Sequence, residues 1–112
     1  MKFYPIFVFL LLTTCTFGQT QRNYTSYTVD NGLAQNSVWD AYQDYKGFMW
    51  FGTADGVNRF DGYNMYHYRP IDVDTTTISG NTFYKFFEDS KQRLWISHNK
   101  GISIYNRAKD CF

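Results

Sequence analysis

The chain has 112 residues and a formal charge of +1, and 21% of its positions are aromatic, with ten Tyr, eleven Phe and three Trp. That length suits one small domain, and the aromatic richness fits half-buried pleated surfaces better than a helical bundle. Lys and Arg are scattered singly, which excludes a basic stripe for nucleic acid; two cysteines, Cys15 and Cys111, make neither a disulfide framework nor a zinc site.

Residues 1–18 have the pattern of an export signal. Lys2 is the only charge before Arg22, Phe3 to Leu12 is almost wholly apolar, and small residues follow to Gly18. A positive start, a short apolar core and small residues before a break define a secretory signal peptide. The apolar run is too short for an ordinary membrane-spanning helix. Cleavage is expected after Gly18, with Thr16 and Gly18 as the small residues. The alternative is lipoprotein processing, because Leu12-Thr13-Thr14-Cys15 loosely matches a lipobox and would make Cys15 the lipidated residue. Either way the mature chain is exported, and loss of Lys2 brings its net charge to zero.

The segment 19–35 is read as an N-terminal strand and lead-in. Arg22 to Val29 is rich in Tyr and Thr and is expected to be the strand; Asp30-Asn31-Gly32 is a turn signal. Residues 36–80 then hold four strands and a linker. Asn36 or Ser37 opens the first, which runs through Gln43. Lys46-Gly47 is a hairpin turn in which Gly supplies the positive φ. Phe48 to Thr53 is the second strand, Asp55-Gly56 a turn, Val57 to Phe60 the third strand, Asp61-Gly62 a turn, and Tyr63 to Tyr68 the fourth. Arg69 to Gly80 is a longer link with Pro70 and three successive Thr.

The pattern restarts in residues 81–112 with an offset of 45 residues. Asn36 answers Asn81, Asp44 answers Asp89, Trp50 answers Trp95 and Gly56 answers Gly101. The second copy departs at Gln92 for Gly47, Ser97 for Gly52 and His98 for Thr53, so its first turn must accept a side chain. Cys111 and Phe112 fall at the places of Tyr66 and His67, so the chain is expected to stop early in a fourth strand and leave an open edge. Four short antiparallel strands repeated at this period are the mark of a β-propeller blade. The fold class is therefore all-β: two four-stranded blades of a larger ring, the second incomplete. Two blades cannot close a ring, so residues 19–112 alone are expected to fold poorly, and residues 22–29 are expected to complete the last blade of the ring.

The repeat signature is Asn36, Asp44, Gly47, Trp50, Gly52, Gly56, Asn81, Asp89, Trp95 and Gly101. Its roles read as structural: the aromatics supply core bulk, the aspartates accept backbone N–H bonds in turns, and the glycines make the bends. No catalytic, cofactor or metal site emerges. His67 and His98 have no Ser, Cys or acid partner by spacing. Asp72-Val73-Asp74 lacks the Gly and terminal Glu of a calcium loop. No phosphate-binding loop is present, and Asn23-Tyr24-Thr25 is only a formal glycosylation acceptor.

Asn36-Ser37-Val38, Asp44 and Gly47 through Gly62, with the lead-in Asp30 to Asn36, resemble the bacterial two-component regulator propeller family, over about residues 24–112. The resemblance implies the N-terminal part of a periplasmic propeller that senses a ligand, frequently a carbohydrate breakdown product. It also implies a parent chain with a membrane helix and a cytoplasmic histidine kinase, neither of which this segment carries. The implied partners are the remaining blades of the parent chain and an oligosaccharide or other small ligand, with no nucleic acid through this segment. Two other readings stay open: an exported propeller enzyme similar to streptogramin lyases, with His98 or His67 in its site, and a structural or adhesive repeat protein.

Overall fold

The structure, a computed structural model, describes Gly18 and residues 21–112. Apart from Gly18, the signal-peptide segment 1–18, Cys15 included, lies outside the described residues. Two antiparallel sheets follow one another along the chain. The first joins β1 (Val38–Gln43), β2 (Met49–Thr53), β3 (Gly56–Phe60) and β4 (Met65–Tyr68) in sequence order. The second joins β5 (Phe83–Glu88), β6 (Leu94–His98) and β7 (Gly101–Ile104) in sequence order. Short links between strands allow only antiparallel neighbours, and each link carries the turn chemistry it needs. β2 and β3 meet across the two residues Ala54 and Asp55, with Thr53 opposite Gly56. Gly56 is thus the first residue of β3 rather than part of the loop. Its φ of 113° and the Tyr68 carbonyl 2.8 Å from where a Cβ would stand make it a place for glycine alone.

The two sheets pack face to face, with β1 and β2 lying on β5. Their shared core holds Trp50, Val57, Phe83, Phe86, Leu94, Ile96 and Tyr105, closed from one end by Ile78 of the linker. Trp50 is fully buried. Burial on that scale removes roughly 150–250 Å² from water, worth about 4–6 kcal/mol before entropic losses. The 45-residue offset reaches further upstream than Asn36. Leu33, in the lead-in, and Ile78, in the linker, are both buried and stand at the same place in the repeat.

Register repeats too. In β1, Val38 faces Thr53 and Asp40 faces Gly52, which leaves Trp39 as an extra residue in a bulge. In β5, Phe83 faces His98 and Lys85 faces Ser97, which leaves Tyr84 as the extra residue.

Two expectations are corrected. Arg22 to Val29 is not a strand: residues 21–28 take no regular structure, and Val29–Asn31 is a single 3-10 turn ended by Gly32. A strand needs a sheet edge, and this segment instead lies on the face of the first sheet, where Tyr27 packs on Phe60 and Phe51 at ring distances of 5.0 and 6.2 Å. Cys111 does not begin a fourth strand against β7. It pairs with Asn106 in an isolated bridge, because the chain reverses at residues 107–110 and Asp110 takes a positive φ.

The turn after β5 places Gln92 at φ 62°, where the first copy has Gly47 at φ 87°. A left-handed backbone costs an L residue about 1–2 kcal/mol, partly offset by the entropy that glycine loses on folding. Gln92→Gly is therefore expected to raise unfolding stability by about 0.5–1 kcal/mol in chemical denaturation, with Gly47→Gln lowering it by a similar amount.

Candidate functional site

Asp44 and Asp89 each follow the first strand of a sheet and open a tight turn, and each organises the same set of bonds. Asp44 Oδ1 accepts the backbone N–H groups of Lys46 and Phe48, both at 3.0 Å, while Oδ2 accepts the Trp50 indole N–H at 2.9 Å. Asp89 Oδ1 accepts the N–H groups of Lys91 and Arg93 at 2.9 and 3.0 Å, and Oδ2 accepts the Trp95 indole N–H at 3.0 Å. Each carboxylate thus fixes its turn and orients the Trp at the second position of the following strand. The sequence suggests the turn bonds; the carboxylate–indole bond leaves only the fixed six-residue spacing from Asp to Trp in both copies as its trace there.

The copies differ in what completes the carboxylate. The Asp44 side chain is wholly buried in the seam between sheets, and Arg107 of the second unit reaches its Oδ2 at 2.8 Å. Arg107 also pairs with Glu88 at 3.2 Å and lies over the Tyr45 ring. Asp89 is closed within its own unit by Arg93 Nε, at 2.6 Å. Burial pushes the Asp44 carboxyl upward, but the bonds from Trp50, Arg107 and the Phe48 amide outweigh it and hold it below the ordinary carboxylate range. The Trp95 indole, with the Arg93 and Lys91 groups, holds Asp89 well below that range despite desolvation.

The rest of the signature serves the same seam. Gly52 faces Phe83 closely: a Cβ there would stand 3.2 Å from the Phe83 Cβ and 3.3 Å from its carbonyl oxygen. Its counterpart Ser97 lies on the outer side of the second sheet and has room for its hydroxyl. Asn36 Oδ1 accepts the Val29 N–H at 2.9 Å, whereas Asn81 Oδ1 accepts the Asn99 side-chain N–H at 2.8 Å, so these two match in place but not in partner. Gly101 repeats the positive φ of Gly56 at the start of its strand. At the outer end of the seam, the Arg59 guanidinium stacks over Tyr66 and Phe48 and donates to the Tyr105 hydroxyl at 2.7 Å. The Tyr105 and Tyr68 hydroxyls both donate to Asp110 at 2.5 Å. Burial and that donation push the Tyr105 hydroxyl up to about 12.

His98 has a structural task. Its Nδ1 accepts the Lys100 backbone N–H at 3.2 Å, as Thr53 Oγ1 accepts the Asp55 N–H at 3.1 Å in the first copy. With Nδ1 accepting, Nε2 carries the proton and donates to Ser103 Oγ at 2.9 Å. The ring lies so close to Gly80 that a Cβ there would come within 2.3 Å of Nδ1. His67 is exposed on the outer strand β4. In the linker, the Asp74 carboxylate accepts the Thr76 N–H and hydroxyl at 2.9 and 2.6 Å, turning inward on its own loop. Among the described residues no group of three His, Cys, Asp or Glu side chains could hold a metal ion, and no helix is long and apolar enough to cross a membrane.

With this geometry in hand, comparison with known proteins gives one family model match, the two component regulator propeller, over residues 32–55. Those residues contain Leu33, Asn36, Asp44, Gly47, Trp50 and Gly52. Residues 32–55 are a two-component regulator propeller repeat. The chain is also 46% identical over 56 residues to histidine kinase P4 of Formosa agariphila, a match covering 50% of this chain and 4% of that protein. It superposes with a TM-score of 0.70 on the crystal structure of the extracellular domain of a hybrid two component system from B. thetaiotaomicron. That match has 30% sequence identity and covers 77% of this chain and 12% of that one. The chain thus spans a small part of both relatives.

Two outcomes follow from this geometry. Asp44→Ala removes the acceptor for four donors and leaves Arg107 with Glu88 as its one remaining carboxylate, so unfolding stability should fall by about 2–4 kcal/mol; Asp89→Ala, at a more open carboxylate, should cost less. Burial, with Lys100 nearby, lowers the His98 pKa from its ordinary value, and partial desolvation, with the Arg69 charge nearby, lowers that of His67 on β4. The folded chain then binds fewer protons than the unfolded one, so stability is full above about pH 6.5 and erodes as the pH falls below it. His98→Thr, which restores the acceptor found at Thr53, should flatten the melting temperature between pH 7 and pH 5, roughly, leaving only the part due to His67. An unchanged pH slope in His98→Thr would contradict this account of the ring.

Proposed function

We propose that the chain forms part of the extracytoplasmic ligand-sensing β-propeller of a two-component receptor, and that its parent protein couples a carbohydrate-derived ligand to a histidine kinase. The observation that carries this reading is the superposition on an extracellular two-component domain, at a TM-score of 0.70 with 30% identity. The local match to a histidine kinase supports it. The geometry agrees in kind: the two Asp–Trp carboxylates hold turns and sheets together, and both ring nitrogens of His98 are engaged in hydrogen bonds.

On this reading the outer face of the second sheet receives the next blade. Phe87, Trp95 and Ile102 on that face are the counterparts of Tyr42, Trp50 and Val57, which the second sheet covers in the first seam. An exposed apolar face of this kind is stable only with a stacked neighbour.

The test is a transcriptional reporter in cells that carry or lack the full-length gene, grown on single soluble oligosaccharides. A response to one sugar that disappears with the gene, and again with Trp50→Ala, is expected. A gene whose removal or alteration changes no reporter response to any sugar would contradict the sensor reading.

A further inference from the structure

The turns after β1, β5 and β7 border a cleft of about 650 Å³, within the roughly 300–1,000 Å³ that small-molecule sites occupy. Lys91, Arg93, Arg107 and Lys109 line it, and no Asp or Glu among the described residues does. Two of these cations have structural partners: Arg93 bonds Asp89, and Arg107 bonds Asp44 and Glu88. Lys91 and Lys109 have no ion-pair partner among the described residues.

The repeat supplies an internal control. The places of Lys91, Gln92, Arg93, Asn106, Arg107 and Lys109 are filled in the first unit by Lys46, Gly47, Phe48, Asp61, Gly62 and Asn64. The second unit has four cations and no acid at these places, where the first has one cation and one acid. Both units form the same turns, so the turns do not require the added charge. Asn106 shows this most directly. Its side-chain oxygen accepts the Ala108 and Lys109 N–H groups at 3.1 and 3.2 Å, as Asp61 Oδ1 accepts those of Tyr63 and Asn64 at 2.8 and 2.7 Å. The turn is kept and the negative charge is gone. Gln92 holds a left-handed backbone, φ 62°, where the first unit has glycine. It bonds Arg107 through its backbone oxygen, which leaves its side-chain amide to the cleft. A residue kept in a strained backbone conformation is a mark of functional sites.

We propose that this cleft binds a small oxyanion, one that presents a phosphate, sulfate or carboxylate group, with Lys91 and Lys109 as its cations and Gln92 and Asn106 as neutral donors. A cleft lined by one sign of charge concentrates ions of the other sign. An ammonium makes charge-assisted bonds to oxyanion oxygens, roughly twice as strong as neutral ones, and a carboxamide donates through its N–H groups without a charge of its own. Arg93 and Arg107 spend their donors on Asp89, Asp44 and Glu88, and so hold the walls of the cleft in place. The charge of the cleft is independent of the sensor reading above.

The experiment is calorimetric titration of the full-length protein with inorganic phosphate, sulfate and citrate in turn, at low ionic strength. Saturable binding of one of the three is expected, and which one binds identifies the oxyanion group. Lys91→Ala and Lys109→Asn, the second matching Asn64 of the first unit, are each expected to weaken that binding about tenfold. Both lysines are exposed, so these variants should keep the far-ultraviolet spectrum of the unaltered protein. Lys46→Ala, at the same place in the first unit, should bind as the unaltered protein does. Gln92→Gly should weaken binding while it raises stability, a pairing that a purely structural glutamine does not give. Binding of none of the three, or binding that both lysine variants retain in full, overturns the proposal. An equal loss in Lys46→Ala overturns the placement, because general surface charge then accounts for the binding.

Discussion

The buried carboxylate of Asp44 is the constraint on which the two-sheet structure depends. It takes two turn amides on one oxygen and the Trp50 indole and Arg107 guanidinium on the other. An ionised group this deep is tolerated only when its oxygens are fully bonded and a counter-charge stands beside it. Three of the four donors come from its own unit and the fourth from the next. Folding of the first turn, orientation of the core Trp and docking of the second sheet are thereby tied to one side chain. Trp50 then fills the seam among Tyr105, Tyr68, Phe86 and Phe112, so the polar and apolar parts of the seam meet on a single residue.

The second unit shows which parts of this arrangement are obligatory. The carboxylate, the two turn amides and the indole recur around Asp89 and Trp95. The cross-sheet arginine does not; Arg93, from the same turn, takes its place. Thr53 gives way to His98 without loss of the turn, because an imidazole nitrogen accepts the same backbone N–H as a hydroxyl. Gln92 replaces Gly47 at the cost of a left-handed backbone. The repeat is therefore defined by acceptors and dihedrals more than by residue names.

That distinction explains how far the sequence could be read. Strand order, turn positions, the two Trp-centred units and the aspartate turns were legible, because Gly, Asp and alternating apolar residues act locally. The buried pair Leu33 and Ile78 carries the same 45-residue offset upstream of Asn36 and was legible on that ground. Arg107 was not legible: its target lies 63 residues away, and nothing in its neighbourhood marks it as a seam residue. Residues 22–29 misled for the opposite reason. Tyr and Thr favour strands only where a sheet edge is offered, and Tyr27 packs on a sheet face instead. Among the site residues, the cross-unit partners were not legible, since partners depend on how the two units stack.

A double-mutant cycle joining Asp44→Asn and Arg107→Gln, with stability measured by denaturant unfolding of the full-length protein, tests the central claim most directly. If the carboxylate links the two units, the pair should be coupled by about 1–3 kcal/mol, the double mutant losing much less than the sum of the single losses. Effects that add to within about 0.5 kcal/mol would show that the sheets are held together without it.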